Sequence, residues 1–111
     1  MSHAEWLRSR TPEAPPALVA CIGELLASHA EWESLAHADA FLGASELLLR
    51  RVLQGQSPER ACALDLLAAD ACVTYAFEAA ADEPATIADR AAEAKKRIAA
   101  IAAEFTPASR L

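Results

Sequence analysis

Acidic and hydroxyl side chains follow one another at one-turn spacing in the second half of the chain. Asp70, Thr74 and Glu78 are each four residues apart, so a helix places them along one face. Carboxylates in this arrangement can bind a metal ion or act as acid and base, and Tyr75 and His29 could complete a ligand-binding strip. The competing interpretation is a solvated seam between two apolar faces.

A second candidate site contains two histidines and a carboxylate. His29, Glu33 and His37 also follow one another at four-residue spacing, and imidazole and carboxylate are ligands that Zn²⁺ uses. On a continuous helix the two histidines would lie about 12 Å apart, which is too far for one ion to bridge. Only neighbouring pairs could therefore chelate a metal, and the competing interpretation is a set of ordinary half-exposed side chains.

The remaining residue inventory argues against an enzyme. The sequence contains no GxSxG elbow, phosphate loop or dinucleotide fingerprint, and no histidine after His37 to build a di-iron bundle. Cys21, Cys62 and Cys72 are odd in number and lack CxxC spacing, which indicates buried free thiols in a reducing compartment. We therefore expect no cofactor and a cytoplasmic location. A non-enzymatic function is favoured, and an enzyme that uses Asp70, Thr74 and Glu78 stays open as a third hypothesis.

Charge excludes several classes of partner. The net charge is −6, and six acidic residues but no Lys or Arg lie between Thr11 and Leu49. Nucleic-acid binding needs a basic stripe, which this sequence lacks, so no nucleic-acid partner is expected. Its longest apolar run is too short to span a bilayer, so no membrane association is expected. The first ten residues lack the apolar segment of a signal peptide. The acidic stretch predicts an outer surface that faces a basic partner or none.

Composition sets the fold class. The chain has 29 Ala and 14 Leu against three Val and four Ile, a balance that favours helices over sheets. We predict an all-α, mostly antiparallel four-helix bundle with a short N-terminal helical arm. Residues 1–15 form the arm and a proline-rich connector, 16–105 the bundle, and 106–111 a C-terminal tail.

Helix ends are marked by glycine, proline and capping residues. Gly55 is predicted to end one helix in the left-handed conformation, and Ser57 and Pro58 to begin the next. The pentapeptide SHAEW occurs at 2–6 and again at 28–32, and its Ser-x-x-Glu spacing predicts a capping box at two helix starts. The apolar spacing runs through the second copy, so a continuous helix there stays open. The predicted helices span about 3–9, 16–30, 32–54, 58–82 and 85–105.

Two of these helices have one apolar stripe and one charged face. In the 32–54 helix, Glu46 and Arg50 are four residues apart and are predicted to pair on the outer face. In the 85–105 helix, the residues predicted to face solvent are Asp89, Arg90, Glu93, Lys96, Arg97 and Glu104.

The 58–82 helix is apolar on two sides. One side, predicted to face the core, comprises Leu64, Leu67, Ala68, Ala71 and Tyr75. The opposite side is predicted to be a homodimer interface because a four-helix domain has one core, and its main residues are Cys62, Leu66, Val73 and Phe77.

Two functions follow from these patterns. The leading hypothesis is a non-enzymatic homodimeric helical bundle that acts through binding. The alternative is a bundle that binds a metal or a small molecule through the polar strip at Asp70, Thr74 and Glu78. A small apolar ligand could also lie between helices, or the same aromatic residues could simply fill the core: Trp6, Trp32, Phe41, Tyr75 and Phe77.

Overall fold

The computed structural model describes residues 1–55 and 58–105, of which 83% are helical and none lies in a strand. The five α-helices are α1 (His3–Arg8), α2 (Pro16–Ser28), α3 (His37–Gln54), α4 (Glu59–Ala80) and α5 (Ile87–Glu104). Short 3-10 helices, Ala30–Ser34 and Pro84–Thr86, precede α3 and α5. The predicted all-α bundle is confirmed. The predictions for Ser57 and for the tail at 106–111 lie outside the described residues.

The packing of α3 on α4 forms the centre of the bundle, and it is by far the most extensive contact between two helices. Both helices present alanines at this contact, so their backbones approach closely, and the larger Phe41 and Leu48 are completely buried beside them. The alanines buried on these two helices are Ala38, Ala40, Ala44, Ala68, Ala69, Ala76 and Ala80. The alanine-rich composition is thus used where two helices must touch.

Helices α1 and α2 cover one side of this central pair. Ile22, Leu25 and Leu26 of α2 and Trp6 and Leu7 of α1 all join the same buried cluster. The spacing of the buried residues in each helix, three and four apart, is that of one face of a helix. The N-terminal helix is therefore packed into the core although it has only six residues.

The chain is not α-helical between α2 and α3. Helix α2 ends at Ser28, a 3-10 helix follows, and α3 begins only at His37, so the helices predicted at 16–30 and 32–54 are both shorter. The indole of Trp32 folds back against α3 at Gly43, where a Cβ atom would lie 3.4 Å from the ring. Trp32 therefore packs on α3 from a 3-10 helix, and the continuous helix that the apolar spacing left open does not form.

The two SHAEW copies adopt different structures. Ser2 caps α1, because its hydroxyl accepts a hydrogen bond of 3.1 Å from the amide of Glu5. Ser28 instead ends α2, and its hydroxyl donates to the carbonyl of Glu24 at 2.9 Å. The serine cap predicted at the first copy is therefore confirmed. The cap predicted at the second copy is wrong, because Ser28 is the last residue of α2 and does not precede a new helix.

Helix α5 docks on α3 through its charged residues. Arg90 donates to Asp39 at 2.8 Å, Arg97 pairs with Glu46, and Arg50 pairs with Glu104. Arg90 and Arg97 are therefore half-buried and bridge the two helices instead of facing solvent, whereas the pair of Arg50 with Glu104 bridges them at the exposed surface. The predicted pairing of Glu46 with Arg50 within α3 gives way to ion pairs across the helix interface.

The apolar stripe of α5 faces the bundle along the middle of the helix and is exposed at its two ends. Only Ala94 and Ile101 of this helix are buried. Ile87 and Phe105, which the sequence places on the same stripe, are 36% and 37% exposed. Ala91 and Ile98 of the same stripe are half-buried, so the middle of the stripe lines the contact with the bundle.

The C-terminus of α3 gives a test of backbone conformation. Gly55 has φ of 65°, in the left-handed region, whereas Gly23 lies within α2 with open space where a Cβ would be. Gly55→Ala should lower the free energy of unfolding by about 1 kcal/mol. Gly23→Ala should raise it by about 0.5–1 kcal/mol, since alanine stabilises a helix interior. Urea unfolding of both variants measures the two changes, and equal signs would contradict the assigned helix end.

The α3–α5 ion pairs give a second test. In Glu46 and Arg97 the side chains are 19% and 33% exposed, so the pair is partly shielded from water. A double-mutant cycle of Glu46→Ala and Arg97→Ala should show a coupling free energy of about 0.2–1 kcal/mol that falls in high salt. The control cycle combines Glu46→Ala with Lys96→Ala, because Lys96 is the exposed neighbour of Arg97, and it should show no coupling. Equal coupling free energies in the two cycles would contradict the contact between Glu46 and Arg97 and would indicate a different register of α5 on α3.

Candidate functional site

The outward face of α4 exposes large apolar side chains. Leu66, Leu67 and Phe77 are 53%, 62% and 37% exposed, which is unusual for such residues in one helix of a small protein. Three polar residues, also exposed, lie between and beside them. We call this face the outer strip of α4, and its members are Leu66, Leu67, Asp70, Thr74, Phe77 and Glu78.

The outer strip differs from the predicted interface by a rotation of the helix. Cys62 and Val73, predicted to be at the interface, are half-buried, while Leu66 and Phe77 are exposed as expected. Leu67, predicted to face the core, is the most exposed leucine of α4. The predicted inner face is therefore corrected at this residue.

The rotation places Asp65 inside the bundle. This carboxylate is only 9% exposed, and it lies 3.9 Å from the Arg51 guanidinium and 4.0 Å from the Cys21 thiol. With Asp65 turned toward α2 and α3, small residues on the same side of α4 face the core, among them Ala68, Cys72 and Ala76. The larger side chains of α4 consequently lie toward its edges and its outer surface.

The predicted polar strip keeps its spacing but does not gather its partners. Asp70, Thr74 and Glu78 are all exposed, and the Thr74 hydroxyl donates to the Asp70 carbonyl at 3.2 Å. Tyr75 lies on another side of α4, with its ring 6.1 Å from Trp6. His29 stacks on the Trp32 ring at 4.3 Å, away from this helix. The structure thus places the five residues at three separate positions.

A shallow apolar cavity of about 180 Å³ lies where α3, α4 and α5 meet. Leu49, Leu66, Val73 and Ile98 supply its apolar walls, and Asp70 lies at its edge. Leu66 belongs both to the outer strip of α4 and to this cavity, so the two surfaces adjoin.

One polar contact joins two histidines from distant parts of the chain. The ring Nδ1 atoms of His3 and His37 lie 2.6 Å apart, and His3 is only 2% exposed. The Nε2–H of His3 donates to the carbonyl oxygen of Trp32 at 2.6 Å. Because a carbonyl cannot donate, the proton of neutral His3 is on Nε2 and its Nδ1 faces His37 with a free electron pair.

Aromatic rings surround this histidine pair. Trp6 stacks on the His37 ring at 5.4 Å and also packs against Phe41, and the guanidinium of Arg10 lies 4.2 Å from the Trp6 ring centre. Burial lowers the pKa of His37, and the neighbouring His3, the Met1 amine and Arg10 lower it further. The core here contains Trp6 and Phe41, with the half-buried Tyr75 packed against them. These three aromatic residues therefore fill the core, which was the alternative to a ligand pocket.

Sequence reasoning missed His3 because its partner is 34 residues away. The available signal was the position of His3 on the same helical face as Trp6 and Leu7, three and four residues later. That register predicts a buried imidazole, which needs a polar partner. Nothing in the spacing of the chain identifies His37 as that partner.

The predicted metal trio of His29, Glu33 and His37 is not assembled on one helix. His29 caps the end of α2, with its Nδ1–H donating to the Leu25 carbonyl at 2.9 Å, and Glu33 lies in the 3-10 helix before α3. Among the described residues, no three His, Cys, Asp or Glu side chains form a group able to hold a metal. Glu33 and His37 do line one cavity of about 290 Å³, together with His3.

The three cysteines are free thiols within the described structure. Cys72 is completely buried, and burial raises its pKa to about 12. Burial and the charge of Asp65 also raise the pKa of Cys21. Since the thiolate is the reactive form, both residues are suited to packing and not to nucleophilic chemistry.

Comparison with known proteins gives no functional assignment. No protein-family model matches the chain, and neither a curated protein nor a solved structure shows significant similarity to it. In residues 1–55 and 58–105, none of the helices combines the length and the apolar character needed to cross a membrane.

The burial of Cys72 predicts its reactivity. In the folded protein at mildly alkaline pH, iodoacetamide should leave Cys72 unmodified because the thiol is both inaccessible and protonated. Peptide mass spectrometry after alkylation measures the modification at each cysteine. The same reagent added in denaturant should modify Cys72 fully and serves as the control. Rapid labelling of Cys72 without denaturant would show that the α3–α4 core opens readily.

Proposed function

We propose that the protein is a non-enzymatic homodimer that acts by binding, with the outer strip of α4 and the adjacent cavity as its dimer interface. The observation that carries this proposal is the exposure of Leu66, Leu67 and Phe77 on one helix face. Monomeric proteins seldom leave an apolar surface of this kind in water, and a second copy of the same chain is its commonest cover.

The apolar side chains of α4 suit an antiparallel partner. Leu66 and Phe77 lie at similar distances on either side of residues 71 and 72, near the middle of the helix. A twofold axis at that point brings Leu66 of one copy against Phe77 of the other and repeats the same contact on the opposite side. Such self-complementarity is what an isologous interface requires.

The charges of α4 support the same orientation. Its C-terminal end carries Glu78, Asp82 and Glu83, and no basic residue lies in its last turn. Carboxylates beside the C-terminus of a helix are unfavourable because that end has a partial negative charge. An antiparallel partner brings the positive N-terminal end of its α4, together with Arg60, next to these carboxylates.

The adjacent helix enlarges the surface. Ile98 lines the cavity beside Leu66, and Ile87 of α5 is 36% exposed. Complete burial of one large apolar side chain stabilises a contact by about 1.5–3 kcal/mol, and these residues are already partly buried. After the cost of association, we expect a dimer whose population depends on protein concentration.

Sedimentation across a range of concentrations tests the proposal. The wild-type protein should approach twice the 11.8 kDa mass of one chain as its concentration rises. Leu66→Glu combined with Phe77→Glu should yield a folded monomer, because both side chains are exposed and carboxylates at the seam repel each other.

The control for this experiment is Leu53→Glu, which adds a charge at another exposed leucine, 41% accessible on α3. It should leave the dimer intact, and circular dichroism should show unchanged helix content in all variants. A wild-type protein that stays monomeric at high concentration overturns the proposal. Equal weakening of the dimer by Leu53→Glu would move the interface elsewhere.

A further inference from the structure

We propose that the protein binds a free aliphatic α-amino acid in a cavity between α2 and the start of α4. This cavity has a volume of about 400 Å³, and the end of α3 also contributes to it. We call it the α2–α4 cavity, and its walls include Ala17, Cys21, Glu24, Arg51, Leu64 and Asp65. It lies on the side of α4 away from the outer strip, so the amino-acid site is independent of the dimer.

A buried carboxylate with incomplete pairing lies in this cavity. Asp65 is only 9% exposed, and its carboxylate lies 3.9 Å from the Arg51 guanidinium and 4.0 Å from the Cys21 thiol. In the part of the chain that the structure describes, these are its two polar contacts, and both are longer than the roughly 2.7–2.9 Å of a charge-assisted hydrogen bond. Because a buried carboxylate is costly unless it accepts hydrogen bonds, Asp65 is suited to a donor that a ligand supplies.

The guanidinium of Arg51 lies beside this carboxylate and can be reached from solvent. The Arg51 side chain is 46% exposed, whereas that of Asp65 is 12% exposed. At 3.9 Å the two groups attract each other, but they are too far apart to form a hydrogen bond. A ligand that carries both an ammonium and a carboxylate gives each of them a partner, since the ammonium donates to Asp65 and the carboxylate accepts from Arg51.

The short distance between the two protein charges selects an α-amino acid among such ligands. In an α-amino acid a single carbon joins the two charged groups, so the nitrogen and the carboxyl carbon are about 2.5 Å apart. Both groups can therefore contact neighbouring side chains whose charged atoms are 3.9 Å apart. The planar guanidinium favours a paired contact with a carboxylate, and Glu24, at the exposed edge of the cavity, gives the ammonium a second acceptor.

The other walls of the α2–α4 cavity favour an aliphatic side chain on the ligand. They come from small or branched apolar residues of α2 and α4, namely Ala17, Ala20, Leu25, Ala61 and Leu64. Small-molecule pockets have volumes of about 300–1,000 Å³, are mostly apolar and contain a few polar groups that orient the ligand. A cavity of about 400 Å³ lies near the lower end of that range, which suits a ligand of the size of leucine.

Calorimetric titration of the wild-type protein tests the ligand class. L-leucine should bind at submillimolar concentration, with one molecule per chain. Isocaproate has the leucine side chain and carboxylate but lacks the ammonium. L-leucinamide keeps the ammonium but has an uncharged amide in place of the carboxylate, as at the N-terminus of a peptide. Each should bind about tenfold more weakly or worse, because each leaves one charged group of the cavity without its partner.

Two substitutions test the residues. Arg51→Gln should weaken leucine binding about tenfold, through loss of the charged contact with the ligand carboxylate. Its matched control is Arg50→Gln, which changes the neighbouring arginine, paired with Glu104 outside the cavity, and should leave leucine binding unchanged. Asp65→Asn retains the shape of the side chain and should also weaken binding, and circular dichroism of each variant should show unchanged helix content.

Amide NMR of the wild-type protein locates the site without relying on the stability of any variant. Leucine should shift the amide resonances of Cys21, Glu24 and Asp65 and leave those of α5 in place. The proposal is overturned if leucine does not bind at submillimolar concentration, or if leucinamide or isocaproate binds as tightly as leucine does. It is also overturned if Arg50→Gln weakens binding as much as Arg51→Gln, or if the shifted resonances lie away from the α2–α4 cavity.

Discussion

The close packing of α3 against α4 is the contact on which the rest of the structure depends. Alanines on both helices allow the backbones to approach, and only a short connection after Gly55 separates the two helices. Every other helix packs against this pair: α1 and α2 on one side and α5 on the other. Because small residues fill this contact, larger side chains of α4, such as Leu66 and Leu67, lie outside it.

Polar contacts lie on the side of α4 away from its exposed leucines. Asp65 is buried beside Arg51, and Leu66 and Leu67 lie on the opposite side of the helix. Arg90 and Arg97 pair with residues of α3, and an apolar cavity lies where α3, α4 and α5 meet. The proposed dimer interface combines this cavity with the exposed side of α4.

The repeated pentapeptide shows how tertiary context assigns different roles to the same residues. In the first copy the serine caps α1 and the histidine is buried; in the second the serine ends α2 and the histidine stacks on a tryptophan. The two copies meet where His3 donates to the carbonyl of Trp32. His3 and His37 consequently face each other, an arrangement that joins residues far apart in the chain.

The sequence alone determined the features that depend on neighbouring residues. Alanine content predicted helices, Gly55 predicted a left-handed helix end at φ of 65°, and Ser2 predicted a cap. Only the tertiary structure decided the break before α3, the rotation of α4 and the meeting of His3 with His37. Helix propensity and capping act over a few residues, whereas burial of Asp65 or pairing of two imidazoles requires groups that only folding brings together.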